Sequence, residues 1–117
     1  MRKVFFNGEF VDESEAKISI YDSALMFGDT VFEMTRSFNK EQFKLREHLE
    51  RLYASAKYLQ IDLCGAMSMD EMEKAIYKTI EINEPYFAKD DEHRIMIDVT
   101  RGLLSIYQDV VGTHSGI

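Results

Sequence analysis

With 117 residues, 45% hydrophobic and 30% charged, the chain has the length and make-up of one globular domain with a single core. Lysine and arginine number 14 against 21 aspartate and glutamate; the formal charge of −7 excludes a general nucleic-acid or anionic-membrane surface and leaves room only for a local basic pocket. The single cysteine, Cys64, excludes an intrachain disulfide and a cysteine metal site and suits a reducing cytoplasm, while MRKVFFNGEF offers neither a signal peptide nor a membrane span.

The first element signal is Lys3 to Phe6, followed at once by Asn7-Gly8 and a return strand from Glu9 to Val11. Asn-Gly between apolar runs marks a hairpin, because both residues tolerate positive φ. Lys17 to Tyr21 alternates Ile18 and Ile20 with polar residues and predicts a short edge strand. Gly28 then marks a turn or a close backbone approach before a strand from Thr30 to Phe38. On that strand Phe32, Met34 and Arg36 share one face, with Val31, Glu33 and Thr35 on the other. Asn39-Lys40 is a second tight turn, and Gln42 to Arg46 reads as the strand that pairs back.

From Glu47 the period becomes helical, with Leu49, Leu52, Tyr53, Ala56 and Leu59 on one arc and His48, Arg51 and Ser55 along its border. Cys64, between Leu63 and Gly65, reads as a small apolar filler. A second helix follows Ser68, whose Glu71 completes a capping box; Met69, Met72, Ile76, Thr79 and Ile80 form its stripe, and it ends near Asn83 ahead of Pro85. After a charged loop, His93 to Arg101 is a strand with Ile95, Ile97 and Val99 on one side and Arg94, Met96, Asp98 and Thr100 on the other. Turn residues from Gly112 to Gly116 precede a final Ile117, where a further strand is expected to begin. This order predicts an α+β fold, an antiparallel sheet with two helices packed on one face. The face with Ile95, Ile97 and Val99 should take the core, since burying one Leu or Ile stabilises by about 1.5–3 kcal/mol.

Few residues stand out for chemistry. Arg51, near the apolar border of its helix, suits a bidentate anion, yet the pattern alone favours a surface arginine pairing with Glu47 or Glu50. Arg36, amid Phe32, Met34 and Phe38, needs a counter-ion, a ligand or solvent, and edge exposure is an equal alternative. Glu33 on the core face must be hydrogen-bonded or neutral. His48 lacks metal-ligand spacing with His93 or His114 and reads as a hydrogen-bonded structural histidine, so no metal site is expected. No glycine-rich phosphate loop or nucleophile elbow is present, and the eight lysines fall in turns, edges or polar helix faces, none desolvated.

Taken in order, Phe27-Gly28-Asp29, Val31-Phe32-Glu33, His48-x-x-Arg51-Leu52-x-x-Ser55-Ala56 and Thr100-Arg101-Gly102 resemble the N-terminal half of the fold-type IV, pyridoxal-phosphate-dependent aminotransferases. That family includes branched-chain and D-amino-acid aminotransferases and aminodeoxychorismate lyase. The resemblance implies that Arg51 binds the cofactor phosphate, that Phe32 and Arg36 line the substrate pocket, and that Phe27 reaches the neighbouring subunit of a homodimer. Met96 stands where branched-chain enzymes have an arginine and D-amino-acid enzymes a tyrosine; Ile106 and Gln108 do not match the D-amino-acid carboxylate trap. The resemblance implies a second domain bearing the cofactor's lysine, so residues 1–117 are expected to be an N-terminal domain, incomplete at its C-terminal end, holding no catalytic residue and binding pyridoxal 5'-phosphate only non-covalently. The small-molecule substrates implied are an amino acid and a 2-oxo acid, most like the branched-chain case. A lyase, a D-amino-acid enzyme or a non-catalytic interaction domain are the alternatives.

Overall fold

The computed structural model describes residues 1–104 and 106. Lys3–Phe6 (β1) and Glu9–Asp12 (β2) form the predicted hairpin with Phe6 opposite Glu9. Asn7 and Gly8 take φ of 50° and 89°, the left-handed pair whose twist matches the flanking strands. The same device recurs at Asn39 and Lys40, with φ of 51° and 68°, between Thr30–Phe38 (β3) and Glu41–Gln42 (β4). Glu92 steadies that turn by accepting from the Lys40 N–H and the Ser37 hydroxyl.

Arg94–Thr100 (β5) pairs antiparallel along the other side of β3, from Thr30 opposite Thr100 to Arg36 opposite Arg94. Burial alternates as the sequence predicts. Glu33, Thr35, Ser37, Ile97 and Val99 are buried, while Phe32, Met34, Arg36, Arg94, Met96 and Asp98 face outward. The buried face packs on Leu45–Tyr58 (α2), through Leu45, Leu49, Leu52 and Ala56, and on Met69–Asn83 (α4), through Met72 and Ile76. The capping box of α4 forms: the Glu71 N–H donates to Ser68 Oγ and the Ser68 N–H donates back to the Glu71 carboxylate. Pro85 sits in a single 3₁₀ turn that closes the helix.

Four expectations need correction. The strands make two sheets, β1-β2 and β4-β3-β5, in place of one. Lys17 to Tyr21 is not a strand; Ile18 and Ile20 are exposed, and the chain instead enters a short helix, Ser23–Phe27 (α1), capped by the buried Asp22 and ended by Gly28 at φ 67°. The return strand is only Glu41–Gln42, because Lys44 turns at φ 52° and Leu45 starts α2, joining Leu49 and Leu52 at helical spacing. Cys64 is exposed; in the four-residue helix Leu63–Ala66 (α3) it is Leu63, 2% exposed, that fills the core. The turn and strand expected beyond Gly112 lie outside the described residues.

The gap between the two sheets has a definite floor and walls. β1 and the outer edge of β5 flank a cavity of about 620 Å³, with Met72, Ala75, Ile76 and Thr79 of α4 beneath it. At one end Asn83 seals β1 by accepting from the Lys3 N–H and donating to the Lys3 carbonyl, at 2.7 and 2.9 Å.

Candidate active site

The alternation of β3 drives Glu33 into the core, where it is 6% exposed. A carboxylate there must be compensated, and α2 presents two partners one turn apart. Arg51 donates to it twice, Nε to Oε2 and Nη2 to Oε1, both at 2.7 Å, and His48 Nδ1 lies 2.8 Å from Oε1. The Arg51 hydrogen bonds, with those of His48 behind them, hold the Glu33 pKa below the usual carboxylate value against the opposing effect of burial. Glu33 in turn raises the Arg51 pKa. The partner of Arg51 is thus Glu33, not Glu47 or Glu50, and His48 is the hydrogen-bonded histidine its spacing suggests.

This clamp fixes the orientation of a guanidinium whose side chain is still 68% exposed. The Nε/Nη2 edge faces Glu33, which leaves the Nη1 hydrogens uncommitted, and Arg51 lines a shallow depression with Val31, Ala54, Ser55 and Tyr58. A planar fork with one edge anchored and the other free, next to a serine one turn on, has the donor chemistry a phosphate monoester requires.

The second group is the open face of β3 and β5. Its cross-strand rows run Phe32 with Asp98, Met34 with Met96, and Arg36 with Arg94. Phe32 is 60% and Met96 55% exposed, a density of apolar surface that a buried neighbour or a ligand would cover. Arg36 donates from Nε to the Ser37 carbonyl at 3.1 Å, and its guanidinium carbon lies 4.0 Å from the Phe38 ring centroid. Burial raises the Asp98 pKa.

Phe27 ends α1 and is exposed. Behind it Asp29 accepts from the Ser23 hydroxyl and from Arg101, which also donates to the Leu59 and Gln60 carbonyls at the end of α2. The Arg101 hydrogen bond lowers the Asp29 pKa. Two of the quoted motifs, Phe27-Gly28-Asp29 and Thr100-Arg101-Gly102, are therefore one physical unit.

Of the residues singled out in the sequence, Phe32, Arg36 and Met96 share a face. Arg51 stands on the helix-covered side of the same sheet, and the depression it lines contains none of those three. Arg94 and Asp98 complete the rows and were missed as candidates, although the period-two pattern places them beside Met96. Among the described residues no cluster of metal-ligating side chains occurs, and no helix is long and apolar enough to cross a membrane.

A family model for amino-transferase class IV matches residues 30–115. Over 101 residues the chain is 41% identical to a putative branched-chain-amino-acid aminotransferase of Methanocaldococcus jannaschii, covering 86% of this chain and 33% of that protein. It is 35% identical over 103 residues to a D-alanine aminotransferase of Staphylococcus haemolyticus, covering 88% and 34%. A crystal structure of the branched-chain aminotransferase from Thermoproteus uzoniensis with norvaline superimposes with a TM-score of 0.75 at 33% identity, covering 96% of this chain and 37% of that one. The chain spans about a third of the length of each of these relatives.

Proposed function

The chain belongs to the amino-transferase class IV family, and on that premise we propose that it forms the N-terminal part of a pyridoxal-phosphate-dependent transaminase of branched-chain type. Class IV aminotransferases use pyridoxal 5'-phosphate. When bound, the cofactor supplies the electron sink that lets an amino group pass between an amino acid and a 2-oxo acid. The part played by this chain is binding and enclosure. Arg51 takes the phosphate on its free edge, and Glu33 and His48 hold the guanidinium so that little side-chain entropy is lost on binding. Phe32, Met34 and Met96 form an apolar wall that keeps water from the substrate, and Phe27 contacts a second copy in a homodimer.

The observation that carries this reading is the Glu33–His48–Arg51 cluster, a buried carboxylate spent on orienting an exposed cation. None of the eight lysines is buried, Lys3 being half-buried and the others exposed, which supports non-covalent binding and an inactive chain when it stands alone. The branched-chain type is favoured over the D-alanine type by the apolar wall of Phe32, Met34 and Met96.

The test is to incubate the chain with pyridoxal phosphate, reduce with borohydride and map the product by mass spectrometry, alongside binding of inorganic phosphate to the native chain and to Arg51→Gln. The expected result is phosphate binding that Arg51→Gln weakens about tenfold and no dominant pyridoxyl-lysine. One dominant labelled lysine would overturn the non-covalent reading, and phosphate binding indifferent to Arg51→Gln would overturn the role of Arg51. A second reading, a non-catalytic interaction domain, draws its support from the exposed apolar sheet face.

A further inference from the structure

We infer that the gap between β1 and β5 takes a short extended segment of a partner polypeptide as an added strand, with a lysine and a glutamate placed to pair with Asp98 and Arg94; this goes beyond the transaminase reading and does not rest on it. β1 is the edge of one sheet and β5 of the other, and the cavity of about 620 Å³ lies between them. Lys3, at the start of β1, bonds to Asn83 at the end of α4, and His93, just ahead of β5, bonds to Glu84, the next residue. Both strands therefore set out from the same end of α4, and Asn7 and Thr100 line the cavity where they finish. The helix beneath is about 10 Å wide and strands pair about 4.8 Å apart, so a gap floored by one helix admits one strand. Running antiparallel to both neighbours gives it the better hydrogen bonds.

Main-chain groups of both edges point into the gap. The Ser37 N–H donates to the His93 carbonyl, and the alternation of an antiparallel ladder then turns the N–H and C=O groups of Arg94, Met96 and Asp98 to the outer edge. On β1 the two-residue turn makes Phe6 and Glu9 a bonded pair, so Lys3 and Phe5 present theirs on the side away from β2. At Lys3 the Asn83 amide accepts from the N–H and donates to the carbonyl, standing where the peptide group of a neighbouring strand would. Phe5 and the three β5 positions remain for a guest of about five residues. Edges of this kind are where strands are added.

Side chains specify the guest. On the face away from α4 its residues lie opposite Arg94, Met96 and Asp98, all exposed. Among the described residues neither Arg94 nor Asp98 has an ion-pair partner, and Arg36 across from Arg94 makes that end cationic. Opposite charges across strands attract and like charges repel. Read from its N-terminus, the guest therefore sets a lysine against Asp98, an apolar residue against Met96 and a glutamate against Arg94. The residues between turn onto Met72, Ala75 and Ile76 and are apolar.

The experiment follows the nitrogen-15 amide signals of the chain during titration with acetyl-Thr-Lys-Val-Val-Val-Glu-Thr-amide. Two controls are the peptide with lysine and glutamate exchanged and a copy N-methylated at the central valine, whose N–H faces β5. The first peptide should shift the Phe5, Arg94, Met96 and Asp98 amides and slow their exchange with solvent. The exchanged peptide should bind about tenfold more weakly, and the N-methylated one should leave these signals unmoved. Arg94→Glu combined with Asp98→Lys, both at exposed positions, should reverse the preference between the two charged peptides. Equal binding of those two, binding of the N-methylated copy, a preference unchanged in the double variant, or no response at all would overturn the guest strand. Broadening of the same signals with protein concentration in the absence of peptide would put a second copy in the gap and overturn the separate partner.

Discussion

Glu33 shows how far a single residue can be read. That a carboxylate on the core face of β3 needs partners was legible from alternation alone. Which partners was not, because the pairing joins a strand to a helix 18 positions away, and sequence pattern fixes the buried side of an element without fixing how two elements are turned against each other. The local reading, Arg51 with Glu47 or Glu50, lost to a buried acceptor that holds two guanidinium nitrogens at once. A consequence follows for pH. The folded-state pKa of Glu33 lies below its unfolded value, so its contribution to stability is present above the ordinary glutamate pKa of about 4.3 and is lost as pH falls through the lowered value. Glu33→Gln should therefore be less stable than the native chain at pH 7, by about 1–2 kcal/mol given that Arg51 remains solvated. The difference should narrow as pH falls below the ordinary glutamate value and close once it passes the lowered pKa of Glu33. Urea denaturation of both proteins across that range checks it, and a gap independent of pH would show that Glu33 acts through shape and not charge.

At the scale of elements, length decided what could be read. α2 and α4 run 14 and 15 residues, enough turns for the apolar period to repeat and for the Ser68 capping box to declare a start. α1 and α3 have five and four residues, too few for any period; their signals are the caps at Asp22 and Asp62 and the left-handed Gly28, and the sequence reading took only the last of these, as a turn. The failed strand at Lys17 to Tyr21 is the converse case, since alternation over five residues predicts a strand only where a neighbour with free main-chain groups lies alongside. These two kinds of signal carry different energies. Ser68→Ala removes one cap hydrogen bond at an exposed helix start and should cost about 1 kcal/mol. Leu52→Ala empties a side chain with no exposed surface in the contact between α2 and the sheet, and should cost about 2–5 kcal/mol. Equilibrium denaturation of the two variants tests the ordering; equal losses would mean that the core around Leu52 relaxes to fill the space.

For the whole molecule, the architecture of helices on one face of an antiparallel sheet was legible because every strand residue had to choose a side, and the helices needed the side with Ile95, Ile97 and Val99. The division into two sheets was not, since strand order depends on which edges meet in space. That division leaves the other side of β3 and β5 open, with Phe32, Met34, Phe38 and Met96 all more than 40% exposed, and Phe27 and Leu25 exposed on α1. Apolar surface of this extent favours association, whereas a net charge of −7 opposes it through repulsion between copies. The balance is adjustable, because salt screens the repulsion and protonation of carboxylates removes it as pH approaches the isoelectric point of about 4.9. The chain should therefore shift from monomer toward dimer in light scattering as salt is raised at pH 7, or as pH is lowered to about 6 at low salt, above the range where Glu33 protonates. Phe27→Ser combined with Phe32→Ser should hold it monomeric under both conditions, since neither change alters its charge. A mass that stays monomeric for the native chain throughout would rule out this face as a contact between copies. A dimer that persists in the double variant would move the contact elsewhere, to the edges of β1 and β5 that pair with no strand among the described residues, where main-chain groups and not side chains make the join.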